Sequence, residues 1–333
     1  MPIVRLPWPI DWTAEFGRAA PLLVEVGFGE GRFLDYLAET RPEANLLGVE
    51  ISAPSLRKAQ RRLMGERHVR LLRTSGQAAL WALCRPQSVA GLYINFPDPW
   101  PKAAHAHRRL INERFLQLAA SRLVAGGHLD IATDHDDYAD WITECLTQSV
   151  HFESRLRLPH ARVDTERPQT KYQRKALAVG KQCYYFKWRR NTLATRNSFP
   201  IPTEQPMPHV ILAPAPDLKA VRDSFTPRTY REQDTAIRFI DVYKSAQQPM
   251  VLFDSYIGEE PVDQRILLAL TRRDAGDALV HLAEVGHPRV TEGVHLAVGY
   301  LVSWLLTVRP EITVERHNLG AIGARQIGRF DEK

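Results

Sequence analysis

Two hydrophobic patterns alternate along the first 150 residues. Short runs of consecutive apolar residues, typical of strands buried in a parallel sheet, each precede a stretch whose apolar residues recur at helical spacing. The predicted strands are 21–26, 45–50, 69–72, 89–94 and 128–133. The predicted helices are 32–38, 53–64, 77–83, 112–123 and 137–147, with Gly126 and Gly127 expected to end the fourth. Strands that alternate with helices predict an α/β fold with a doubly wound, mainly parallel sheet.

The pattern changes in the second half of the chain. Residues 184–190 are predicted to form a last strand of the first sheet, and four prolines between 200 and 208 predict a semi-rigid linker. Beyond it, a long apolar helix is predicted at 290–307, and strands at 210–212, 237–242, 250–256, 266–271 and 278–282. We expect a first domain over 1–198, a linker over 199–208, and a second, smaller α+β domain with an antiparallel sheet over 209–333. The sequence assigns no role to this second domain.

Composition excludes several classes of protein. With 44% hydrophobic and 25% charged residues in 333, the chain has the composition of a globular protein with a sizeable core. The longest apolar stretch, 293–308, is interrupted by His295 and Ser303 and is shorter than the roughly 20 residues of a membrane span. The three cysteines are odd in number and widely spaced, which suits reduced thiols better than a disulfide framework or a zinc site. We expect a cytoplasmic protein that does not contact a membrane.

The basic excess of the chain is concentrated in one segment. Residues 1–150 carry 17 basic and 17 acidic side chains, and residues 201–333 carry 15 basic and 18 acidic ones. Residues 151–200 carry 12 basic against 3 acidic side chains, a balance of +9. This concentration favours a polyanionic partner such as a nucleic acid. Two further basic sets are candidates for the same surface or for solvated helix faces: Arg57, Lys58, Arg61 and Arg62, and His105, His107, Arg108 and Arg109.

A glycine turn follows the first predicted strand. Gly27, Gly29 and Gly31 have the spacing Gly-x-Gly-x-Gly, whereas a dinucleotide-binding turn needs a glycine where Arg32 stands. The Gly-Lys-Ser/Thr sequence of a phosphate-binding P-loop does not occur in the chain. The turn is therefore expected to bind a nucleoside cofactor that carries no pyrophosphate.

Two acids accompany the glycine turn. Glu25 comes directly before it, where a carboxylate would repel a pyrophosphate but would suit a cationic or zwitterionic ligand. Glu50 ends the second strand and is either an acceptor for ribose hydroxyls or a solvated acid at the strand end. A cationic cofactor with a ribose and an amino-acid tail is S-adenosylmethionine. The two acids and the turn together predict that cofactor.

A proline-rich loop follows the fourth predicted strand. Residues 95–102 read Asn-Phe-Pro-Asp-Pro-Trp-Pro-Lys, and the prolines restrict their own backbone and that of the preceding residues. The loop therefore presents Asn95, Asp98, Trp100 and Lys102 on a stiff backbone. It is either an ordinary connection or a site loop at the carboxyl end of a sheet, where open α/β folds bind ligands. Trp100 is expected either to stack on a base or to pack under the sheet.

These motifs recur together in one family. Val-Glu-Val-Gly-Phe-Gly-Glu-Gly at 24–31, Gly-Val-Glu at 48–50, the block at 95–102 and Ala-Thr-Asp at 132–134 follow one another at the family's spacing. Over roughly residues 20–190 the chain resembles the bacterial tRNA (guanine-N7-)-methyltransferases, in a long form with a C-terminal extension. The resemblance implies the Rossmann-like fold of class I methyltransferases. It also implies transfer of a methyl group from S-adenosylmethionine to N7 of guanosine 46 in the tRNA variable loop, giving 7-methylguanosine.

The resemblance also implies roles for individual residues. Asp98 is the expected catalytic acid, and the basic segment 151–198 is expected to contact tRNA. The expected cofactor-binding residues are Glu25, Gly27, Gly29, Gly31, Glu50, Ser75 and Asp98. The expected tRNA-binding residues are Lys102, Asp134, Thr170, Lys171, Tyr172 and Gln173. No metal is expected, and the oligomeric state is open between monomer and homodimer.

Two positions depart from the family pattern. Ser75 stands where an acid or an asparagine is usual, and Gln173 stands where a Thr-Lys-aromatic-Glu motif has its glutamate. Both keep a hydrogen-bonding group but lose a charge, which bears on affinity more than on the type of reaction. Two alternatives therefore stay open: a related methyltransferase that acts on another RNA or a small molecule, and a non-catalytic paralogue that binds tRNA.

Overall fold

The computed structural model describes residues 3–165, 167, 180, 182–286 and 288–327. The chain divides into two compact units, Met1–Ile201 and Pro202–Lys333. Within the described ranges, no helix is long and apolar enough to cross a membrane.

A seven-stranded mixed sheet forms the centre of the first unit. Its spatial order is β3-β2-β1-β4-β5-β7-β6. The strands are β1 (Leu22–Val26), β2 (Asn45–Glu50), β3 (Val69–Arg73), β4 (Val89–Asn95), β5 (Leu123–Thr133), β6 (Phe152–Ser154) and β7 (Tyr184–Arg190). Strands β1 to β5 pair in parallel, whereas β7 is antiparallel to both β5 and β6. This topology confirms the predicted doubly wound, mainly parallel α/β sheet.

The described helices of this unit are α1 (Trp12–Phe16), α2 (Arg32–Thr40), α3 (Ala53–Arg62), α4 (Gly76–Ala78), α5 (Glu113–Arg122) and α6 (Asp136–Gln148). Helices α2 to α5 connect its parallel strands, whereas α1 precedes β1 and α6 follows β5. Helix α4 continues as a π-helical turn over Ala79–Leu83, and a 3₁₀ turn spans Ala103–Arg108. A β-carbon at Gly48 of β2 would lie 2.6 Å from a Leu34 methyl carbon of α2. Glycine at this position therefore lets α2 pack directly on the sheet.

The predicted role of Gly126 and Gly127 as a helix end is wrong. Helix α5 ends at Arg122, and both glycines lie within β5, where the pairing with β4 shifts register. Gly126 has φ +79°, and a β-carbon at Gly127 would lie 2.9 Å from the Val124 carbonyl oxygen. The two glycines permit an irregular backbone inside a strand, a local requirement that resembles a helix C-cap in sequence.

Arg122 is an arginine whose side chain lies inside the core of the first unit. Only 1% of its surface is exposed, and its guanidinium donates to the carbonyl oxygens of Leu80 (2.9 Å), Trp81 (3.1 Å) and Phe199 (2.6 Å) and to Ser121 Oγ (2.9 Å). Burying a guanidinium is tolerated here because its donors find acceptors. The side chain thereby joins the π-helical turn to the end of the unit.

The second unit contains an antiparallel seven-stranded sheet, as expected for an α+β domain. Its spatial order is β14-β8-β13-β12-β11-β10-β9. The strands are β8 (His209–Ala213), β9 (Arg228–Glu232), β10 (Thr235–Lys244), β11 (Met250–Gly258), β12 (Gln264–Arg272), β13 (Ala278–Leu282) and β14 (Thr313–His317). The helices are α7 (Leu218–Asp223), α8 (Glu292–Val308) and α9 (Ala321–Gln326). The apolar helix α8 is buried in this unit's core over Gly293–Leu305.

Candidate active site

Several of the predicted site residues that the structure describes lie at the carboxyl ends of the parallel strands. Strands β1 and β4 are neighbours at the centre of the sheet, with β2 and β3 on one side and β5 on the other. The chain thus winds in opposite directions from this pair, which creates a crevice above their carboxyl ends. Glu25 and Glu50 lie at the ends of β1 and β2, Asn95 ends β4, and Asp134 follows β5.

The glycine turn leaves its backbone accessible at two positions. Gly27, Gly29 and Gly31 have φ values of +75°, +55° and +77°, which strongly favour glycine. A β-carbon at Gly31 would lie 2.8 Å from Ala59 Cβ, so this glycine also lets α3 pack closely. A β-carbon at Gly27 or Gly29 would meet nothing within 4 Å. The turn therefore offers open space in which a ligand can approach the main chain.

Glu50 is fixed by the backbone around it. One carboxylate oxygen accepts a hydrogen bond from the Gly29 N–H at 2.9 Å, and the other accepts one from the Ser52 N–H at 2.9 Å. Each oxygen has a second lone pair, so the carboxylate can accept further donors. Glu50 thus links β2 to the glycine turn and presents a positioned acceptor beside it.

Glu25 is a buried acid with one unmatched oxygen. The residue is 2% exposed, and its Oε1 accepts a hydrogen bond from Asn95 Nδ2 at 3.0 Å. Its Oε2 has no hydrogen-bond partner in the described part of the chain. Burial raises the pKa of Glu25 to about 7, although the Asn95 hydrogen bond and the positive charge of Arg167 favour the ionised form. Such an acid is suited to a cationic ligand group.

Arg109 supports the loop at 95–102 through a hydrogen bond to its backbone. The Arg109 Nε atom donates to the Pro99 carbonyl oxygen at 3.0 Å, and the guanidinium carbon lies 5.4 Å and 5.3 Å from the ring centroids of Tyr138 and Trp141. Arg109 is 9% exposed, so it belongs neither to a basic surface nor to a solvated helix face, the two alternatives that the sequence left open. The loop in turn presents Asp98 to solvent. Sequence spacing gave no signal for this supporting role.

Trp100 contacts the 3₁₀ turn that follows the loop. Its ring is edge-on to His105 with centroids 5.9 Å apart, and the Arg108 guanidinium carbon lies 4.9 Å from its centroid. The indole is half-buried, with φ +42° at the backbone. Lys102 is exposed at the start of the same turn. This arrangement leaves part of the indole available for stacking.

Ser75 and Asp134 lie at the beginnings of two helices. Ser75 is exposed and caps α4, its hydroxyl oxygen accepting from the Ala78 N–H at 3.1 Å. Asp134 is half-buried, and α6 starts two residues later at Asp136. Asp136 accepts a 2.6 Å hydrogen bond from the Tyr184 hydroxyl. Among the described residues, no three or more His, Cys, Asp and Glu side chains form a group that could hold a metal ion.

The segment before residue 168 is anchored on the sheet by buried ion pairs. Asp164 pairs with Lys187 of β7 at 3.0 Å and with Arg167 at 3.6 Å. The Arg167 guanidinium carbon lies 4.7 Å from the ring centroid of Phe33, at the start of α2. The sequence indicated a basic segment here but not the burial of this arginine. The predicted residues Thr170, Lys171, Tyr172 and Gln173 lie outside the described residues.

The chain is similar to known methyltransferases over most of its length. The family model "Methyltransf_4: Putative methyltransferase" matches residues 19–186. A Deinococcus radiodurans protein named tRNA (guanine-N(7)-)-methyltransferase is 33% identical over 290 residues, 86% of this chain and 89% of its own. A Thermus thermophilus protein of the same name is 32% identical over 310 residues, 90% of this chain and 93% of its own. A solved structure of the antibiotic-resistance methyltransferase Kmr has 21% identity and a TM-score of 0.40, over 55% of this chain and 93% of its own.

The extent of these matches differs between relatives. A Syntrophotalea carbinolica protein with the same name is 40% identical over 185 residues, which is 55% of this chain and 80% of its own. The first unit accounts for residues 1–201 of 333, so matches over 86% and 90% of the chain must extend into the second unit. The Deinococcus and Thermus proteins therefore share sequence with both units.

Proposed function

The chain belongs to the tRNA (guanine-N(7)-)-methyltransferase family, and we propose that it transfers a methyl group from S-adenosylmethionine to N7 of guanosine 46 in the tRNA variable loop. One observation supports this most strongly. An open glycine turn, the fixed carboxylate of Glu50 and the buried carboxylate of Glu25 lie together above the crevice next to the loop that carries Asp98. A site for a nucleoside cofactor thus adjoins a loop suited to a nucleobase.

The residues of the crevice fit S-adenosylmethionine. The open space at Gly27 and Gly29 accepts a ligand against the main chain, and the unmatched Oε2 of Glu25 suits an ammonium group. Glu50 would accept hydrogen bonds from the ribose hydroxyls, and the Ser75 hydroxyl would bond to the adenine. When bound, S-adenosylmethionine supplies a methyl group that is already activated by its positively charged sulfur.

Guanine N7 needs little chemical help from the protein. Its lone pair lies in the ring plane, and no proton has to leave before it attacks a methyl carbon. The protein therefore has to align the base with the methyl group and stabilise the positive charge that develops on the purine. The Asp98 carboxylate would accept the ring N–H and amino hydrogens of guanine and would also stabilise that charge. Arg109 keeps this acid in place through the Pro99 carbonyl.

The remaining predicted residues would bind the tRNA. Lys102 is exposed and follows Asp98 by four residues in the chain, and Asp134 follows β5, the strand next to β4. Thr170, Lys171, Tyr172 and Gln173 would contact the nucleotide and its phosphates, which is the combination of donors and a stacking ring used on unpaired bases. The +9 balance of residues 151–200 supports a tRNA partner.

Replacing Asp98 tests the proposed function. We expect Asp98→Ala to lower kcat for methyl transfer to an unmodified tRNA transcript by about 100-fold or more, the magnitude typical of a lost electrostatic stabiliser. The dissociation constant of S-adenosylhomocysteine, measured by calorimetry, should change little. Glu39→Ala, which removes an exposed acid of α2 outside the crevice, serves as the control. Undiminished turnover in Asp98→Ala would remove this acid from the mechanism.

A further inference from the structure

Two buried polar atoms beside the crevice, one hydrogen-bond acceptor and one donor, have no partner among the described residues. The Oε2 atom of Glu25 and the Nη2 atom of Arg167 each have no hydrogen-bond partner among the residues that the structure describes. The Arg167 side chain is 8% exposed, and Glu25 is 2% exposed. Leaving a buried donor or acceptor unsatisfied destabilises the folded protein, and more so if the group is charged. A ligand that satisfies both atoms would remove that destabilisation.

The two side chains lie on the same face of the sheet. Glu25 of β1 is in register with Tyr93 of β4. The Arg167 guanidinium carbon lies 5.9 Å from the Tyr93 ring centroid and 4.7 Å from that of Phe33 in the first turn of α2. The positive charge of Arg167 also favours the ionised form of Glu25, although burial raises the pKa of this acid overall. The acid and the arginine thus border one small region at the start of α2.

Arg167 differs from two neighbouring cations in that one of its terminal nitrogens is buried without a hydrogen-bond partner among the described residues. Lys187 pairs with Asp164 at 3.0 Å, and Arg155 pairs with Asp130 at 3.4 Å. Arg167 also pairs with Asp164, with Nε at 3.6 Å, but its terminal nitrogen Nη2 has no hydrogen-bond partner within the described ranges. A guanidinium presents its N–H groups in a planar fork that matches a carboxylate.

We propose that Glu25 and Arg167 together bind the amino-acid end of the cofactor, Glu25 its ammonium group and Arg167 its carboxylate. This inference rests on the proposed function, because it assumes an S-adenosyl ligand in the crevice. The amino-acid end is a zwitterion, and a buried carboxylate beside a buried guanidinium is its electrostatic complement. Arg167 is therefore a specificity-determining residue that distinguishes the intact cofactor from ligands without the carboxylate.

The test compares two ligands that differ only in this carboxylate. S-adenosylmethionine and its decarboxylated form are titrated into the full-length protein by calorimetry. A charge-assisted hydrogen bond is worth about 1.5–3 kcal/mol, so we expect the intact cofactor to bind about 10- to 100-fold more tightly. In Arg167→Met this ratio should fall to near one, because only the intact cofactor loses a partner. The affinity for the decarboxylated form should change little.

Arg155→Met is the matched control. It removes another arginine beside the same sheet face, but one that pairs with Asp130. This variant should retain the wild-type ratio. A ratio near one in the wild-type protein would overturn the inference without any variant. A wild-type ratio that persists in Arg167→Met would also overturn it, even if both affinities fall together.

The outcomes also separate this inference from the proposed function. If the wild-type protein binds neither ligand and transfers no methyl group, the proposed function itself fails. If it binds both equally and methylates tRNA, only the role of Arg167 fails. If circular dichroism shows that Arg167→Met does not fold, the inference is tested by the ratio of the two affinities in the wild-type protein and in Arg167→Lys. Lysine keeps the charge but not the fork, so a partly retained ratio supports the inference and a wild-type ratio contradicts it.

Discussion

Glu25 shows how a binding residue opposes stability. Its carboxyl group is almost completely buried, and burial raises its pKa from an ordinary value of 4.5 to about 7. The folded state therefore holds the proton more tightly than the unfolded state does. The stability associated with this proton is fully present below pH 4.5 and is lost as the pH rises through about 7. At pH 8 the free protein carries a buried negative charge whose cost a bound ammonium group would offset.

We predict that Glu25→Gln stabilises the free protein at pH 8. The amide keeps an oxygen that can accept from Asn95 but removes the charge, which corresponds to a gain on the order of 1–3 kcal/mol. The gain should shrink as the pH falls from 8 to 5, because the native acid then becomes protonated. Thermal unfolding at several pH values measures it, with Glu39→Gln as the exposed control. An equal effect at every pH would contradict the assigned pKa.

The same variant should bind S-adenosylhomocysteine more weakly. In the wild-type protein, the affinity for S-adenosylhomocysteine should fall as the pH drops below about 7, because protonated Glu25 no longer attracts the ligand ammonium. Glu25→Gln should lose this acidic limb of the pH profile. Calorimetry between pH 6 and 8 checks both expectations, and a wild-type affinity that is constant over this range would count against Glu25 as the ammonium partner.

Local sequence predicted the acids of the site better than its arginines. Glu25 and Glu50 were expected beside the glycine turn because they end apolar strands, and the structure brings them together there. The burial of Arg109 and Arg167 depends on partners distant in sequence, such as Trp141 and Phe33. From the sequence alone, a buried arginine cannot be distinguished from an exposed one. Their positions could therefore be found only from tertiary structure.

Among the secondary-structure elements, buried strands were predicted more completely than edge strands. Strands β1, β2 and β4 are almost entirely buried and so read as continuous apolar runs. Strands β9 and β14, at the two edges of the second sheet, were missed because they consist largely of exposed or half-exposed polar residues, Arg-Thr-Tyr-Arg-Glu and Thr-Val-Glu-Arg-His. An edge strand makes backbone hydrogen bonds on one side only and needs no apolar run. Its pairing partners therefore determine whether it forms.

The 95–102 loop depends on an element outside itself. Arg109 holds the Pro99 carbonyl and packs on two rings of α6. We predict that Arg109→Met lowers kcat about 10- to 100-fold, because small displacements of catalytic groups have effects of this size. Cofactor affinity should be nearly unchanged, since Arg109 does not contact the glycine turn. Single-turnover kinetics and calorimetry measure the two quantities, with Arg85→Met, an exposed arginine, as control. Loss of cofactor affinity alone would contradict this role.

Across the two units, charge is distributed unevenly. Residues 151–200 have a balance of +9, whereas residues 201–333 have one of −3. If the basic segment carries the contacts with tRNA phosphates, affinity should depend steeply on salt. We predict that converting Arg157 and Arg162 to Gln reduces the slope of log affinity against log salt by about one to two. Filter binding at several salt concentrations measures the slope. Arg231→Gln in the second unit should not change it, and an equal reduction there would contradict a localised interface.

The position of methylation tests the central claim most directly. An unmodified tRNA transcript and one with 7-deazaguanosine at position 46, which has carbon in place of N7, are incubated with the wild-type protein and labelled S-adenosylmethionine. We predict that the first transcript gains one methyl group, mapped to position 46 by cleavage at 7-methylguanosine, and that the second gains none. Methylation of the 7-deaza transcript, or of another position in the first, would contradict the account.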